Sequence, residues 1–102
     1  MDFYIYIIYS SSFDKFYIGH SENPWRRIEE HNADIHHKFT SNYMPWELRA
    51  VFKINGSRGE AMKIEKFIKK QNSRKLILKM IDSEFKPAGV LARLVRVPHV
   101  RD

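Results

Sequence analysis

The chain opens with two short apolar segments separated by a polar one. Tyr4 to Tyr9 consists of β-branched and aromatic residues, and Phe16 to Gly19 repeats this character after the polar break from Ser10 to Lys15. Such residues favour a strand over a helix, and the polar break is typical of a turn. The pattern predicts a β-hairpin in which Tyr6 and Tyr17 can lie on one face, although the sequence does not fix the register.

A helix is predicted directly after the hairpin. Asn23 is a suitable N-cap, and Pro24 suits the first helical position because its missing N–H would have had no partner there. Apolar residues fall on one stripe of this helix, while Arg27 and His31, four residues apart, fall on a neighbouring stripe. We expect the apolar stripe to pack and the other to present a cation and an imidazole.

The middle of the chain predicts one more strand and two more helices. Alternating apolar positions from Trp46 to Ile54 indicate a third strand with one buried face. Ser57 and Glu60 fit a capping box at the start of a second helix, and Arg74 to Ile81 indicates a third, shorter one. The predicted fold is a small α/β domain with a three-stranded antiparallel sheet flanked by helices, in the order β-β-α-β-α-α.

Residues 33–44 have no clear period and are interpreted as a loop. The adjacent His36 and His37 do not predict a metal site, because neighbours in sequence rarely face one ion and no third ligand stands at suitable spacing.

The periodic pattern breaks again after Asp82. We expect one domain over residues 1–82, followed by a linker and a loosely held tail over residues 83–102, so that a chain ending near Asp82 should fold. Residues 92–97, ARLVRV, allow a short edge strand. The same six residues can be encoded by a sequence resembling the dihydrouridine arm of a tRNA gene, so an overrun of the reading frame is a further interpretation.

Composition limits the class of protein. A chain of 102 residues with 43% apolar content supports one domain with a modest core. The absence of cysteine removes disulfides and thiolate metal sites and fits a reducing cytoplasm. No apolar run approaches the ~20 residues that span a bilayer, and no signal-peptide pattern is present, so we expect a soluble, cytoplasmic protein. The sequence contains no glycine-rich phosphate-binding loop, so we do not expect a nucleotide cofactor.

Charge favours a polyanionic partner. The net charge is +6 and the sequence pI is about 9.7, which suits contacts with phosphates, although a merely basic soluble protein has the same composition. Glu65 lies inside the second helix at the edge of its apolar stripe. It is interpreted either as an ion-pair partner of Lys69 at the next turn or as a metal ligand.

Several motifs in order resemble the GIY-YIG endonuclease family. The hairpin contains Tyr4-Ile5-Tyr6 and Tyr17-Ile18-Gly19, and the first helix contains R-x-x-x-H from Arg27 to His31. PWEL, EAMKIEKFIKK and NSRK follow in the order found in small stand-alone members of the family. The resemblance covers roughly residues 2–82, with Tyr4 in place of the first glycine of the signature.

The resemblance implies a metal-dependent endonuclease that hydrolyses DNA phosphodiester bonds. It implies that Glu65 holds one Mg²⁺ or Mn²⁺ and that Arg27 grips the scissile phosphate. Tyr6 and Tyr17 would order or deprotonate the attacking water, which requires a cation to lower a tyrosine pKa from about 10. His31 would act as proton relay or phosphate contact. Gly19 would allow close approach of the backbone to the site. The further residues expected to contact DNA are Lys69, Lys70, Arg74 and Lys75.

Two other function classes stay open from the sequence. The domain could bind nucleic acid without cutting it, alone or as a subunit of a larger DNA-processing complex. Alternatively, the tyrosines and Trp25 could be core and interface residues of an assembly adaptor. The oligomeric state and the DNA structure that would be cut are not indicated.

Overall fold

A four-stranded antiparallel sheet forms the centre of the structure, a computed structural model that describes residues 2–33 and 38–100. The strands lie in the order β2-β1-β3-β4 across the sheet. They are β1 (Phe3–Ser10), β2 (Lys15–Ser21), β3 (Glu47–Ile54) and β4 (Leu94–Val97). The helices are α1 (Pro24–His31), α2 (Lys38–Ser41), α3 (Arg58–Gln71) and α4 (Arg74–Ile81), with a 3-10 turn at Gly89–Leu91. The predicted α/β fold is confirmed, with β4 as a fourth strand.

The three predicted helices, α1, α3 and α4, begin where the sequence predicts, because the capping side chains satisfy backbone donors that have no partner inside the helix. The Asn23 side chain accepts a hydrogen bond from the Arg26 backbone N–H at 3.1 Å at the start of α1. Ser57 caps α3, and Ser73 caps α4. Asn72 ends α3, in the left-handed conformation at φ 45°.

Both faces of the sheet are buried, so the prediction of a single buried face for β3 is wrong. On one face, Ile5 and Phe52 pack with Ile68 of α3 and Met80 of α4. On the other, Val51 of β3 packs with residues of β1 and α1. The physical reason is that α1 covers the face opposite α3 and α4, so successive β3 residues are buried on alternate sides.

The segment predicted as a loop contains a short helix, α2, just before β3. The backbone of residue 46 is held to the end of α1 by Asn32, whose side chain donates to the Trp46 carbonyl at 2.9 Å and accepts from the Trp46 N–H at 2.6 Å. His36 and His37 lie outside the described residues. Among those described, no helix combines the length and apolar content needed to cross a membrane.

The tail differs from the expectation of a loosely held segment. β4 pairs with β3, so the short edge strand considered possible from the sequence is present. Leu91 and Leu94 are buried in the core, at 6% and 3% exposure. Arg96 donates hydrogen bonds to the backbone carbonyls of Met80 and Asp82. The sequence pattern did not reveal this packing because the strand is only four residues long and its partner β3 lies far away in the chain.

Removing the tail should therefore destabilise the protein, contrary to the expectation from the sequence. A chain ending at Asp82 loses two buried leucines, each of which contributes roughly 2–5 kcal/mol when truncated in a core. We expect a lower and broader thermal transition. Leu94→Ala should lower the melting temperature, whereas Val95→Ala, at a position that is 61% exposed, should leave it within a degree or two of wild type. Equal melting of the truncated and complete chains would contradict the packing described here.

Candidate active site

Tyr6 of β1 and Gly19 of β2 lie opposite each other, and the Tyr6 ring leaves no room for a side chain at position 19. A Cβ atom at position 19 would lie 2.4 Å from the Tyr6 hydroxyl oxygen and 2.5 Å from Cζ of the same ring. Gly19 is itself buried, so the close approach it permits is to Tyr6. The expectation that Gly19 allows close approach of the backbone at the site agrees with this contact, since a Cβ at position 19 would meet the Tyr6 ring.

A buried chain of polar groups begins at Tyr6. Its hydroxyl is 2.8 Å from His31 Nε2, and His31 Nδ1 is 3.0 Å from Thr40 Oγ1. All three side chains are 1% exposed. The hydrogen-bonding groups of these three side chains all have partners when the Tyr6 hydroxyl donates to His31 Nε2 and His31 Nδ1–H donates to Thr40 Oγ1. Because His31 is buried, it cannot present an open imidazole on α1 as expected, and a direct phosphate contact is disfavoured.

Arg27 joins this group from α1. Its guanidinium hydrogen-bonds the Tyr6 hydroxyl, and its Nη1 donates to Glu30 Oε1 at 3.0 Å. Burial alone would lower the pKa of Arg27, but these two hydrogen bonds outweigh that effect and raise it. The Arg27 side chain is 36% exposed. It is therefore a fixed cation that still reaches solvent.

Burial also sets the proton affinity of Tyr6. Loss of hydration raises the pKa of Tyr6 well above its ordinary value, and the Arg27 hydrogen bond offsets only part of that rise. Arg27 thus lowers the pKa of Tyr6, as expected of a cationic neighbour, but burial has the larger effect and the pKa is raised overall. The Tyr6 hydroxyl keeps its proton and serves as a hydrogen-bonding link between Arg27 and His31.

Glu65 reaches the same edge of the sheet from α3. Its Oε1 is 2.8 Å from His20 Nδ1, and its Oε2 is 3.2 Å from Lys69 Nζ. The Glu65 side chain is 19% exposed. The ion pair with Lys69 considered from the sequence thus exists, together with a histidine contact that the sequence did not suggest.

Tyr17 lies on the same face of the hairpin as Tyr6, as alternation allowed. It pairs across the sheet with Ile8, while Tyr6 pairs with Gly19. Tyr17 is half-buried, and Lys69 Nζ lies 4.9 Å from the centre of its ring. Tyr17 is the more accessible of the two signature tyrosines.

Three neighbouring clefts follow β2 along the open edge of the sheet. The first, of about 320 Å³, is lined by Tyr17 and Lys69. The second, of about 490 Å³, is lined by Lys69, Glu65 and His20. The third, of about 240 Å³, is lined by His20 and Arg27. Lys69 belongs to the first two clefts and His20 to the last two, so the clefts form one surface that we call the β2-edge surface.

The remaining predicted contacts divide into two groups. Arg74 lines the first cleft, where its Nη2 donates to Asp14 Oδ1 at 2.5 Å. Lys70 and Lys75 are exposed but line none of the three clefts. The β2-edge surface therefore brings together Arg27, Glu65, Tyr17, Lys69 and Arg74, with Lys70 and Lys75 outside it.

The donor set around Glu65 fits a divalent cation of the Mg²⁺ type. Mg²⁺ commonly takes one or two protein carboxylates and completes its shell with water and phosphate oxygens. Each carboxylate oxygen has a second lone pair, so Glu65 can keep His20 and Lys69 as partners and still bind a cation. In the described part of the chain, no group of three or more His, Cys, Asp or Glu side chains is arranged for a metal ion. A cation here would rely on Glu65 together with substrate.

Two residues of this site were missed by sequence reasoning. His20 follows Gly19 in β2, so alternation points it toward the α3 face, and this signal could have linked it to Glu65. Thr40 lies in a segment without periodicity, and nothing in the sequence indicated its contact with His31.

The comparison with protein families agrees with the motifs. A family model described as the GIY-YIG catalytic domain matches residues 2–77. No curated protein matches the chain. The matched residues run from β1 through the first half of α4, and hence include the whole β2-edge surface described above.

Proposed function

The chain belongs to the GIY-YIG family, whose domain is typical of nucleases, and we propose that it is a metal-dependent endonuclease that hydrolyses DNA phosphodiester bonds. The observation that carries the proposal is the arrangement of Arg27 and Glu65. They line the third and second clefts on either side of His20, with Tyr17 beyond Lys69 on the same open surface. A cation, a carboxylate and a hydroxyl along one edge suit a phosphodiester.

Arg27 is proposed to bind the scissile phosphate. Hydrolysis places growing negative charge on the phosphate oxygens, and a fixed cation stabilises that charge without reorganising. Glu30 and Tyr6 hold the guanidinium in place, since both hydrogen-bond it. Tyr6 is thus proposed as a positioning residue, with His31 accepting the Tyr6 hydrogen bond at Nε2 and donating from Nδ1 to Thr40.

Glu65 is proposed to hold the Mg²⁺ or Mn²⁺, which supplies Lewis-acid stabilisation of the phosphate when bound. His20 fixes the carboxylate from one side and Lys69 from the other, so the ligand oxygens have a defined orientation. Tyr17, the more accessible tyrosine, is proposed to orient the attacking water. Lys69 and Arg74 are proposed to contact the DNA backbone, with Lys70 and Lys75 adding long-range attraction.

Arg27→Ala tests this assignment through cleavage and binding together. Wild type should nick supercoiled plasmid in Mg²⁺ or Mn²⁺, and the variant should lose about 10²-fold or more in cleavage rate because the transition state loses its cation. DNA binding measured in EDTA should also weaken. Arg49→Ala is the matched control: Arg49 is 38% exposed and paired with Glu47, and β3 is separated from the β2 edge by β1.

The control removes the same charge at a similar exposure, so it should retain cleavage within about twofold. If wild type binds DNA tightly but nicks none of the supercoiled, branched or single-stranded substrates in either metal, the chain is a binding domain and the proposed function is wrong. Equal losses in Arg27→Ala and Arg49→Ala would mean that overall charge, and not a phosphate site, determines activity.

A further inference from the structure

A row of aromatic rings extends from the β2-edge surface across the hairpin turn. The ring centres of Tyr17 and Phe39 are 5.9 Å apart, those of Phe39 and Tyr43 are 5.2 Å apart, and those of Tyr43 and Phe13 are 5.3 Å apart. We call these four residues the aromatic row. Tyr17 belongs both to this row and to the first cleft.

Two rings of the aromatic row are unusually open for phenylalanine. Phe13 is 50% exposed and Phe39 is 52% exposed, and neither belongs to the buried clusters of the core. Exposed apolar side chains scattered singly are common, but large ones joined into a patch usually mark a binding surface. The row therefore has the character of a site for a flat apolar group.

Cations accompany these rings. Lys69 Nζ lies 4.9 Å from the Tyr17 ring centre and Lys15 Nζ lies 5.0 Å from that of Tyr43. Proteins that bind single-stranded nucleic acid combine aromatic rings, on which bases stack, with cations that follow the phosphates. Base stacking is in general stronger than a cation–ring contact at an exposed site, so a base can replace the lysine on a ring face while the lysine moves to a phosphate.

We propose that the aromatic row binds unpaired bases of a DNA strand next to the phosphate held at Arg27 and Glu65. The inference rests on the proposed function and specifies its substrate class: DNA that is single-stranded, or carries a single-stranded segment, at the cut site. Bases in a continuous duplex are stacked on each other and cannot present their faces to Phe39. Lys69 connects the row to the Glu65 cleft, which places the unpaired bases beside the reacting phosphate.

The test measures binding of a fluorescent oligonucleotide to the complete chain in EDTA, once as a single strand and once annealed to its complement. Wild type should bind the single strand more tightly than the duplex. Phe39→Ala should weaken single-strand binding about five- to tenfold, the lower part of the range for one lost stacked base, and duplex binding by less than about twofold. Phe39→Tyr keeps the ring and should retain wild-type affinity.

Val95→Ala serves as control, since Val95 is 61% exposed on β4 at the opposite edge of the sheet, and it should change neither affinity. A 2-aminopurine base in the single strand should be quenched by wild type and not by Phe39→Ala. A ring that only packs α2 against the hairpin would lower the melting temperature without changing the ratio of single-strand to duplex affinity, and that result would overturn the inference. Nicking of plasmid by a wild type that shows no single-strand preference would overturn it while leaving the proposed nuclease function intact.

Discussion

The Glu65→Gln protein should fold as wild type does and lose about 10²-fold or more of its DNA cleavage. Glutamine keeps the size of the side chain and can still hydrogen-bond, but it lacks the charge that a divalent cation requires. The stability cost should be about 1 kcal/mol or less, because the lost ion pair with Lys69 is partly exposed. Binding of DNA in EDTA should stay level or rise slightly, since a negative charge near the phosphates is removed.

Glu60→Gln is the matched control for this result. Glu60 lies in the same helix α3, pairs with Arg93 at 2.5 Å, and lines none of the three clefts of the β2-edge surface. Its replacement should leave the cleavage rate unchanged within about twofold. Full activity in Glu65→Gln, from a preparation free of contaminating nuclease, would contradict the metal assignment. Equal losses of cleavage rate in Glu65→Gln and Glu60→Gln would mean that removing any acidic residue from α3 lowers activity, and not the loss of a metal ligand.

Gly19→Ala should destabilise the protein and abolish cleavage together. The added Cβ would meet the Tyr6 ring, which is fully buried and hydrogen-bonded and therefore cannot rotate away. Overpacking of this kind typically costs about 1–3 kcal/mol. Displacement of Tyr6 would also release Arg27 and His31, so any folded fraction should cleave DNA slowly. Thermal melting and the cleavage rate per folded molecule are the two measurements.

Gly59→Ala provides the comparison for stability. Its added Cβ would find the Ser57 hydroxyl oxygen at 3.6 Å, an ordinary contact, and alanine is favoured over glycine inside a helix by about 1 kcal/mol. The Gly59→Ala protein should melt at the wild-type temperature or slightly above it. A Gly19→Ala protein with wild-type melting and activity would show that the Tyr6 ring does not need its present position.

The sequence predicted those parts of the site that depend on local periodicity. Strand alternation placed Tyr6 and Tyr17 on one face, and the spacing after Asn23 predicted the start of α1. Helical periodicity also placed Arg27 and His31 on one stripe, but the expectation that this whole stripe stays open was wrong for His31, which is buried. The structure turns His31 inward to Tyr6 and leaves Arg27 partly open, which separates two residues that looked equivalent.

The pattern of apolar and polar residues could not predict contacts between distant parts of the chain. His20 and Glu65 are 45 residues apart, and their contact depends on α3 packing beside the edge strand β2. The high pKa of Tyr6 follows from burial, which depends on α1 covering the second face of the sheet. The sequence indicated β4 only as a possible edge strand, because four residues carry too little periodicity to show that Leu94 is part of the core.

The central claim, that this chain hydrolyses DNA with a divalent cation, is tested most directly by a metal titration of plasmid nicking by the purified wild-type protein. The account predicts no nicking in EDTA and a rate that rises and saturates as Mg²⁺ or Mn²⁺ is added, with termini consistent with phosphodiester hydrolysis. Nicking that proceeds equally well in EDTA would contradict it. So would a folded, DNA-binding protein that cleaves no plasmid, branched or single-stranded DNA at any metal concentration.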